Sequence, residues 1–277
     1  MSLVARLAAA PGGRAGLTIL GLMAFIAFAA PALFPGDPLR IAGPALLPPF
    51  SSSEFPLGTD RLGRDVLACL VHGAQISLLV GLAAAAAAIF AGMVVGALAG
   101  FAGGLVEEAL MRVVETFQIV PGFLMALAFA SVLGASLPII ILAIALAAWA
   151  EPARLTRAQV LAIREQDYIA AARALGMHPL EIAFKEILPN ALAPILALSS
   201  VIVAGAILTE AALSFLGLGD PNVVTWGSMI AEGRNVIRSA PFLSILPGLA
   251  LVMTVLGVYL FSEGLSDALR QNGEDRP

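Results

Sequence analysis

The chain has 277 residues, 60% of them hydrophobic and only 12% charged, with a mean hydropathy of +0.96 and a formal net charge of −4. Globular domains carry ~25% charged residues, so the solvated surface of an ordinary soluble protein is missing, and with neither a basic stripe nor an aromatic platform nucleic-acid binding is excluded as well. Cys69 is the single cysteine, which rules out an intrachain disulfide and a Cys-pair metal site and suits a small buried hydrophobe.

A membrane helix needs ~20 consecutive apolar residues. The first uncharged stretch, 15–36, follows Arg6 and Arg14 and precedes "FAAPALFPGD". A secretory signal has a core of only ~7–15 apolar residues, so the segment reads as a retained membrane helix. Residues 37–72 are polar and rich in turn formers. The stretch 73–106 follows His72 and is long enough for one tilted helix or two short ones. Within it Gly92, Gly96, Gly100 and Gly104 recur every four residues, which lines one helix face and lets another backbone approach closely. Packing inside the chain and a subunit interface both suit that stripe. The run 116–150 is too long for one span and breaks at "GASLP", 134–138, where Gly and Pro mark a turn. Residues 151–186 are polar, and 187–209 and 239–262 are the last two spans.

Six spans place the N-terminus, the 151–186 stretch and the C-terminal tail on one side. That side then holds Arg6, Arg14, Arg112, Arg154, Arg157, Arg164, Arg173, Lys185, Arg270 and Arg276, and the other holds Arg40, Arg61, Arg64, Arg234 and Arg238. The positive-inside rule therefore puts both termini in the cytoplasm, whereas a seventh span would divide the basic residues between the sides.

Intrinsic chemistry is sparse. The only lysine, Lys185, lies between Phe184 and Glu186, so no phosphate-binding P-loop exists. His72 and His178 are far apart, and neither a zinc motif nor a nucleophile elbow occurs. Ion-coupled carriers keep ionisable groups within their spans. Here the candidates are Glu115 and Glu210, both near expected helix ends.

The polar stretch holds "DYIAAARALGMHPLEIAFKEILPN", residues 167–190. At helical spacing Tyr168, Ala171, Ala172 and Leu175 form one apolar face, with Arg173 pointing away. Gly176 suits the left-handed residue that ends a helix, Pro179 discourages its continuation, and "LEIAFKEIL" begins a second helical piece. Pro189 and Pro194 mark the opening turns of the fifth span. A solvated loop gains nothing from an Ala/Leu/Tyr face, and a helix lying on a membrane favours Trp, Phe and Lys. Docking into another protein's groove suits the small side chains slightly better.

"AAARALG" followed by "ILPN" resembles the coupling-loop signature of bacterial ATP-binding cassette importer permeases. "FPLGTDRLGRDVL" (55–67), "GGLVEEALMRVVET" (103–116), "EAALSFLGLGDPNVVTWGSMIAEGRN" (210–235) and "LPGLALVMTVLGVYLFSEGLSDALR" (246–270) are similar to the C-type permease of dipeptide, oligopeptide and nickel importers. Ala170 stands where that signature carries Glu, and Glu186 where it carries Ile. The resemblance implies an all-α, six-helix membrane protein of the importer-permease (MetI-like) fold, multi-pass in a bacterial inner membrane. It implies an N-terminal helix and linker in 1–54, a permease core in 55–270 with a cytoplasmic coupling loop at 151–189, and a tail from 271. Asp167, Tyr168, Ala170, Ala171, Ala172, Arg173, Leu175 and Gly176 would be the helix that enters an ATPase groove. Asp60, Arg64, Asp65, Trp226 and Arg234 would face a periplasmic or lipid-anchored substrate-binding protein, and they read equally well as loop caps and local salt bridges. Partners would be a second, homologous permease and two cytoplasmic ATPases carrying ATP and Mg, with no catalysis and no cofactor on this chain. The expected cargo is short peptides. A metal chelate on the same architecture and a self-contained ion-coupled carrier are the rival readings.

Overall fold

The computed structural model describes residues 10–274, with the side chains of 11, 193 and 268–274 excepted. Arg6, Arg276 and the Arg270 side chain, which enter the charge count above, lie outside the described residues.

Helix α1, Pro11–Leu33, begins with Pro at its first turn, where a missing N–H costs nothing. It packs along α11, Phe242–Glu274, at two small residues. A Cβ on Gly16 would come 2.8 Å from Phe261 Cα, and one on Gly257 would come 2.8 Å from Ile19 Cγ2. Between α1 and α2 the chain forms a folded loop pinned by buried Thr59, whose Oγ1 donates to the Pro44 carbonyl and accepts from Leu47 N.

Helix α2, Val66–Ala102, is capped by Asp65, whose Oδ1 accepts from Leu67 N at 2.9 Å. Its 37 residues make it about 55 Å long at 1.5 Å per residue. Residues 73–102 of that stretch therefore belong to one helix, which outruns a ~30 Å hydrocarbon core, and the remainder starts the next. Gly103 and Gly104, with φ +66° and +54°, turn the chain sharply into α3, Gly104–Ile119. This corrects the glycine stripe: Gly104 starts the next helix, and a Cβ there would meet nothing within 4 Å.

The third span differs from the expectation in a second way. Helix α3 is amphipathic, carrying Glu107, Glu108, Arg112 and Glu115, and it meets α4, Gly122–Leu133, at 88°. Pro121 causes the break by pushing Val120 out of helical geometry to ψ 128°. The hydrocarbon-like part is thus α4 alone, about 18 Å long. Gly134, at φ +105°, ends α4, and α5, Leu137–Ala148, follows, so the turn at 134–138 lies where the sequence puts it. Helix α5 bends by 45° into α6, Ala150–Arg164, which is a regular helix where a polar loop was expected. The edge-to-face contact of Phe117 with Trp149, centroids 5.1 Å apart, holds the two elbows together.

After α6 come α7, Asp167–Ala174, the short α8, Pro179–Ile182, and a π-helical turn, Ala183–Ile187, that runs into α9, Leu188–Phe215. Helix α10, Trp226–Arg234, lies on the connection to α11 and has a Thr225/Ser228 capping box. Among the described residues four helices are long and apolar enough to cross a membrane, and the count reaches six when each bent pair is one span. The main core fills the space between α2, α4, α5 and α9 with small and branched residues such as Ala84, Ala88, Ile140, Ile144 and Ala206.

Candidate functional site: the polar loop and its links

Helix α7 is held by Ile169 and Ala172, both buried. They sit in a small core with Val160 and Ile163 of α6, Ile182 and Ile187 before α9, and Met177. The expected face of Tyr168, Ala171, Ala172 and Leu175 therefore splits. Ala172 turns inward beside Ile169, because the branched aliphatic of the helix is its strongest anchor. Tyr168, Ala171 and Leu175 stay on the surface with Asp167, Ala170 and Arg173.

The helix ends in a hydrogen-bonded reversal. Gly176 N donates to Arg173 O at 3.0 Å and Met177 N to Ala172 O at 3.2 Å, with Gly176 at φ +80°. That left-handed residue satisfies the last carbonyls. His178 next caps α8, its Nδ1 accepting from Leu180 N, and Asn190 Nδ2 donates to the Glu186 carbonyl at 2.6 Å. The loop is thus held by its own hydrogen bonds and a small core, yet Leu175 is 84% exposed, Phe184 68% and Leu180 62%. These large apolar side chains lie outside the loop's core and are available for contact.

The loop connects directly to the long helix. Val160 lines the loop core and also meets Gly100 of α2, where a Cβ would come 2.7 Å from Val160 Cγ1. Further along, Gly92 faces Trp149, Pro152 and Ala153, and Gly96 faces Ala153 and Thr156. Three glycines of the stripe therefore seat α6 against α2 inside the chain. Arg164 adds to the seam by donating to the Gly100 carbonyl at 3.0 Å, and the Arg157 guanidinium pairs with Glu107 to tie α3 to α6.

The other expected site lies at the opposite end of α2. Arg64 bridges Asp60 (3.8 Å) and Glu232 (3.3 Å), and Asp60 Oδ1 also accepts from the backbone N–H groups of Leu62 and Arg64. Burial pushes the Glu232 carboxyl above its usual range against the pull of Arg64. A cavity of about 390 Å³ opens here, with Arg61 and Asp220 on its wall. Arg234 lies 4.8 Å from the Phe215 ring. Two of the five residues are committed to the fold: Asp65 caps α2, and Trp226, 1% exposed, donates from Nε1 to the Leu70 carbonyl at 3.1 Å. Trp226 is therefore a packing residue and does not reach a partner surface.

Two further polar links join helices, one through Glu210, a candidate ionisable group in the sequence, and one through Asp220, which the sequence did not single out. Glu210 is 1% exposed and accepts from Ser214 (2.7 Å) and Ser77 (3.3 Å), while Ser77 Oγ accepts from Trp226 N. This joins α2, α9 and α10. Asp220 accepts from Leu137 N at 3.0 Å and so caps α5 from 83 residues away. Its bonds from Asn222 hold the carboxyl below its usual range.

Comparison with known proteins follows the same lines. Residues 92–272 match the family described as binding-protein-dependent transport system inner membrane component. The chain is similar to the di/tripeptide transport system permease protein DppC of Pseudomonas aeruginosa, 38% identical over 93% of this chain and 87% of that one. It is 36% identical to the glutathione transport system permease protein GsiD of Pectobacterium atrosepticum (92% and 85% covered) and 37% identical to the oligopeptide transport system permease protein OppC of Bacillus subtilis (79% and 72%). Among solved structures, a chain of the inward-facing MetNI methionine ABC transporter shares the fold, with a TM-score of 0.59, 20% identity, and coverage of 73% of this chain and 95% of that one.

Proposed function

The chain belongs to the family of binding-protein-dependent transport system inner membrane components, and from that premise we propose that it forms half of the passage of a short-peptide importer and is worked from its 167–187 loop. It is a multi-pass, non-catalytic permease subunit, and ATPase and solute-binding partners go with that role. In detail, a second homologous permease pairs with it, two ATPases bind on the cytoplasmic side, and a periplasmic or lipid-anchored receptor delivers the cargo to the Arg64 end. ATP and Mg sit on the ATPases.

The observation that carries this reading is the build of the loop. Ile169 and Ala172 lock α7 to the permease, while Tyr168, Ala171 and Leu175 are left outside. A surface so arranged transmits force, because a push on α7 moves α6 as a unit and α6 is seated without slack on Gly92, Gly96 and Gly100 of α2. The packed seam favours discrete rearrangement over bending. Elbows at Pro121 and Trp149, in the two bent spans, are where such rearrangement is absorbed most cheaply.

The relatives named for dipeptides, oligopeptides and glutathione support a short peptide as cargo. The test is Gly176→Trp together with Leu175→Asp. Membrane insertion of each variant stays normal, while recovery of the ATPases with the purified permease falls sharply. Normal ATPase recovery with both variants contradicts the docking role.

A further inference from the structure

A cavity of about 580 Å³ opens between the two elbows and α9, within the ~300–1,000 Å³ typical of ligand sites. Its walls are mostly apolar, with Phe123 and Val201 among them, and its polar groups are Gln118, Glu151, Arg154 and Thr209. Helices α4 and α5 each run twelve residues, about 18 Å, from the elbows to the far side, so the cavity opens at the elbow end of the two bent spans. Ionisable side chains that border membrane spans ordinarily face water, a partner charge or a ligand.

Glu151 and Arg154 stand one turn apart on α6, and both are exposed to the cavity side. That spacing ordinarily yields an i,i+3 ion pair. Among the described residues neither of the two joins one: Arg154 reaches only the Gln118 side-chain carbonyl, at 3.3 Å. The neighbouring Arg157 is already paired with Glu107, and Arg164 with Glu165, so charge on α6 is otherwise matched within the chain. A carboxylate and a guanidinium side by side and uncommitted, in an apolar chamber, are complementary to a ligand bearing both charges.

We propose that Glu151 and Arg154 form a transit subsite for the termini of a zwitterionic short peptide, with Glu151 holding the ammonium end and Arg154 the carboxylate end. Gln118 orients the guanidinium, and Thr209 offers a hydroxyl to the peptide backbone. Gly205 leaves the opposite wall clear, since a Cβ there would meet nothing within 4 Å. The proposal deepens the peptide-importer reading and rests on it.

The test uses the complete importer in proteoliposomes, with radiolabelled trialanine as cargo and ATP hydrolysis read in parallel. Glu151→Gln and Arg154→Gln each lower uptake by about tenfold, the size of one lost charge-assisted contact. Gly205→Phe, whose Cβ meets nothing within 4 Å and whose ring occupies the chamber, stops uptake. In all three variants the receptor-stimulated ATPase rate stays within about twofold of the parent, because the 167–187 loop is untouched. Parent-level uptake by both charge variants, or by Gly205→Phe, overturns the subsite and leaves the importer standing. A fall in hydrolysis in step with uptake assigns these residues to structure and also overturns it. No ATP-driven uptake by the unaltered importer overturns the importer reading itself, and the subsite with it.

Discussion

Gly92→Ala probes the seam between α2 and α6 with the smallest possible change. The added methyl would lie 2.6 Å from the Trp149 carbonyl oxygen, 2.7 Å from Pro152 Cβ and 2.8 Å from Ala153 N. Carbon contacts relax at about 3.5–4.0 Å, so the two helices must part by roughly 1 Å. Two of the three obstacles are backbone atoms and cannot rotate away. Overpacking of this kind costs about 1–3 kcal/mol, offset by at most ~1 kcal/mol from the better helix propensity of alanine. A net loss of about 1–2 kcal/mol lowers the melting temperature by roughly 2–8 °C for a chain of this size. The assay is thermal unfolding of the detergent-purified protein at one scan rate, with Gly21→Ala as the control. Gly21 has nothing within 4 Å of its would-be Cβ and gains propensity without strain. If Gly92→Ala melts with or above Gly21→Ala, α6 is not seated on α2 as described, and the route from loop to spans loses its basis.

Glu210→Ala leaves the hydroxyls of Ser77 and Ser214 without their acceptor and costs about 1–3 kcal/mol in the same melting assay, with Glu210→Gln losing less. Asp220 has a lowered carboxyl pKa, so its stabilising contribution is complete above the ordinary Asp value and disappears as pH falls through the lowered one. The Asp220 contribution should therefore hold from neutral pH down to the usual ~3.9 and be lost only below it, in deeper acid. Asp220→Asn should shed part of that acid slope; an identical slope would deny the cap on α5. For Glu107 and Arg157, half-buried and bonded across α3 and α6, a double-mutant cycle should give a coupling of about 1–2 kcal/mol, and additivity would show that the contact is idle.

The parts of this fold legible in the sequence are those set by long uniform runs or by single conformational specialists. The uncharged stretches located the spans, and Gly176 and the 134–138 turn ended helices because few residues tolerate φ above zero. Counting charges concealed the rest. With Glu115 as the last charge before a long apolar run, the third span seemed to begin at 116, although Pro121 breaks the chain five residues later. The charges of Glu151, Arg154, Arg157 and Arg164 suggest a loop over 151–164, yet all four sit on a helix, pairing, bonding the Gly100 carbonyl or lining a chamber. Trp226 and Asp65 show the converse. Their residue types suit a partner surface, but tertiary structure uses one to fill a core and the other to cap a helix. The inward turn of Ile169 was readable in principle, being the bulkiest aliphatic of α7 and three residues from Ala172.

The central claim is that a separate motor grips the exposed face of α7 from the cytoplasm. Leu175→Cys, in a Cys69→Ala background, tests it most directly through crosslinking in the assembled importer with a short maleimide whose second arm is a photoactivated benzophenone, which inserts into C–H bonds of whatever lies beside it. The account predicts a covalent adduct between this chain and an ATPase subunit whose yield changes between nucleotide-free and ATP-bound states. Labelling of the same cysteine by a membrane-impermeant maleimide added to the outside of intact cells, with no ATPase adduct, would contradict it.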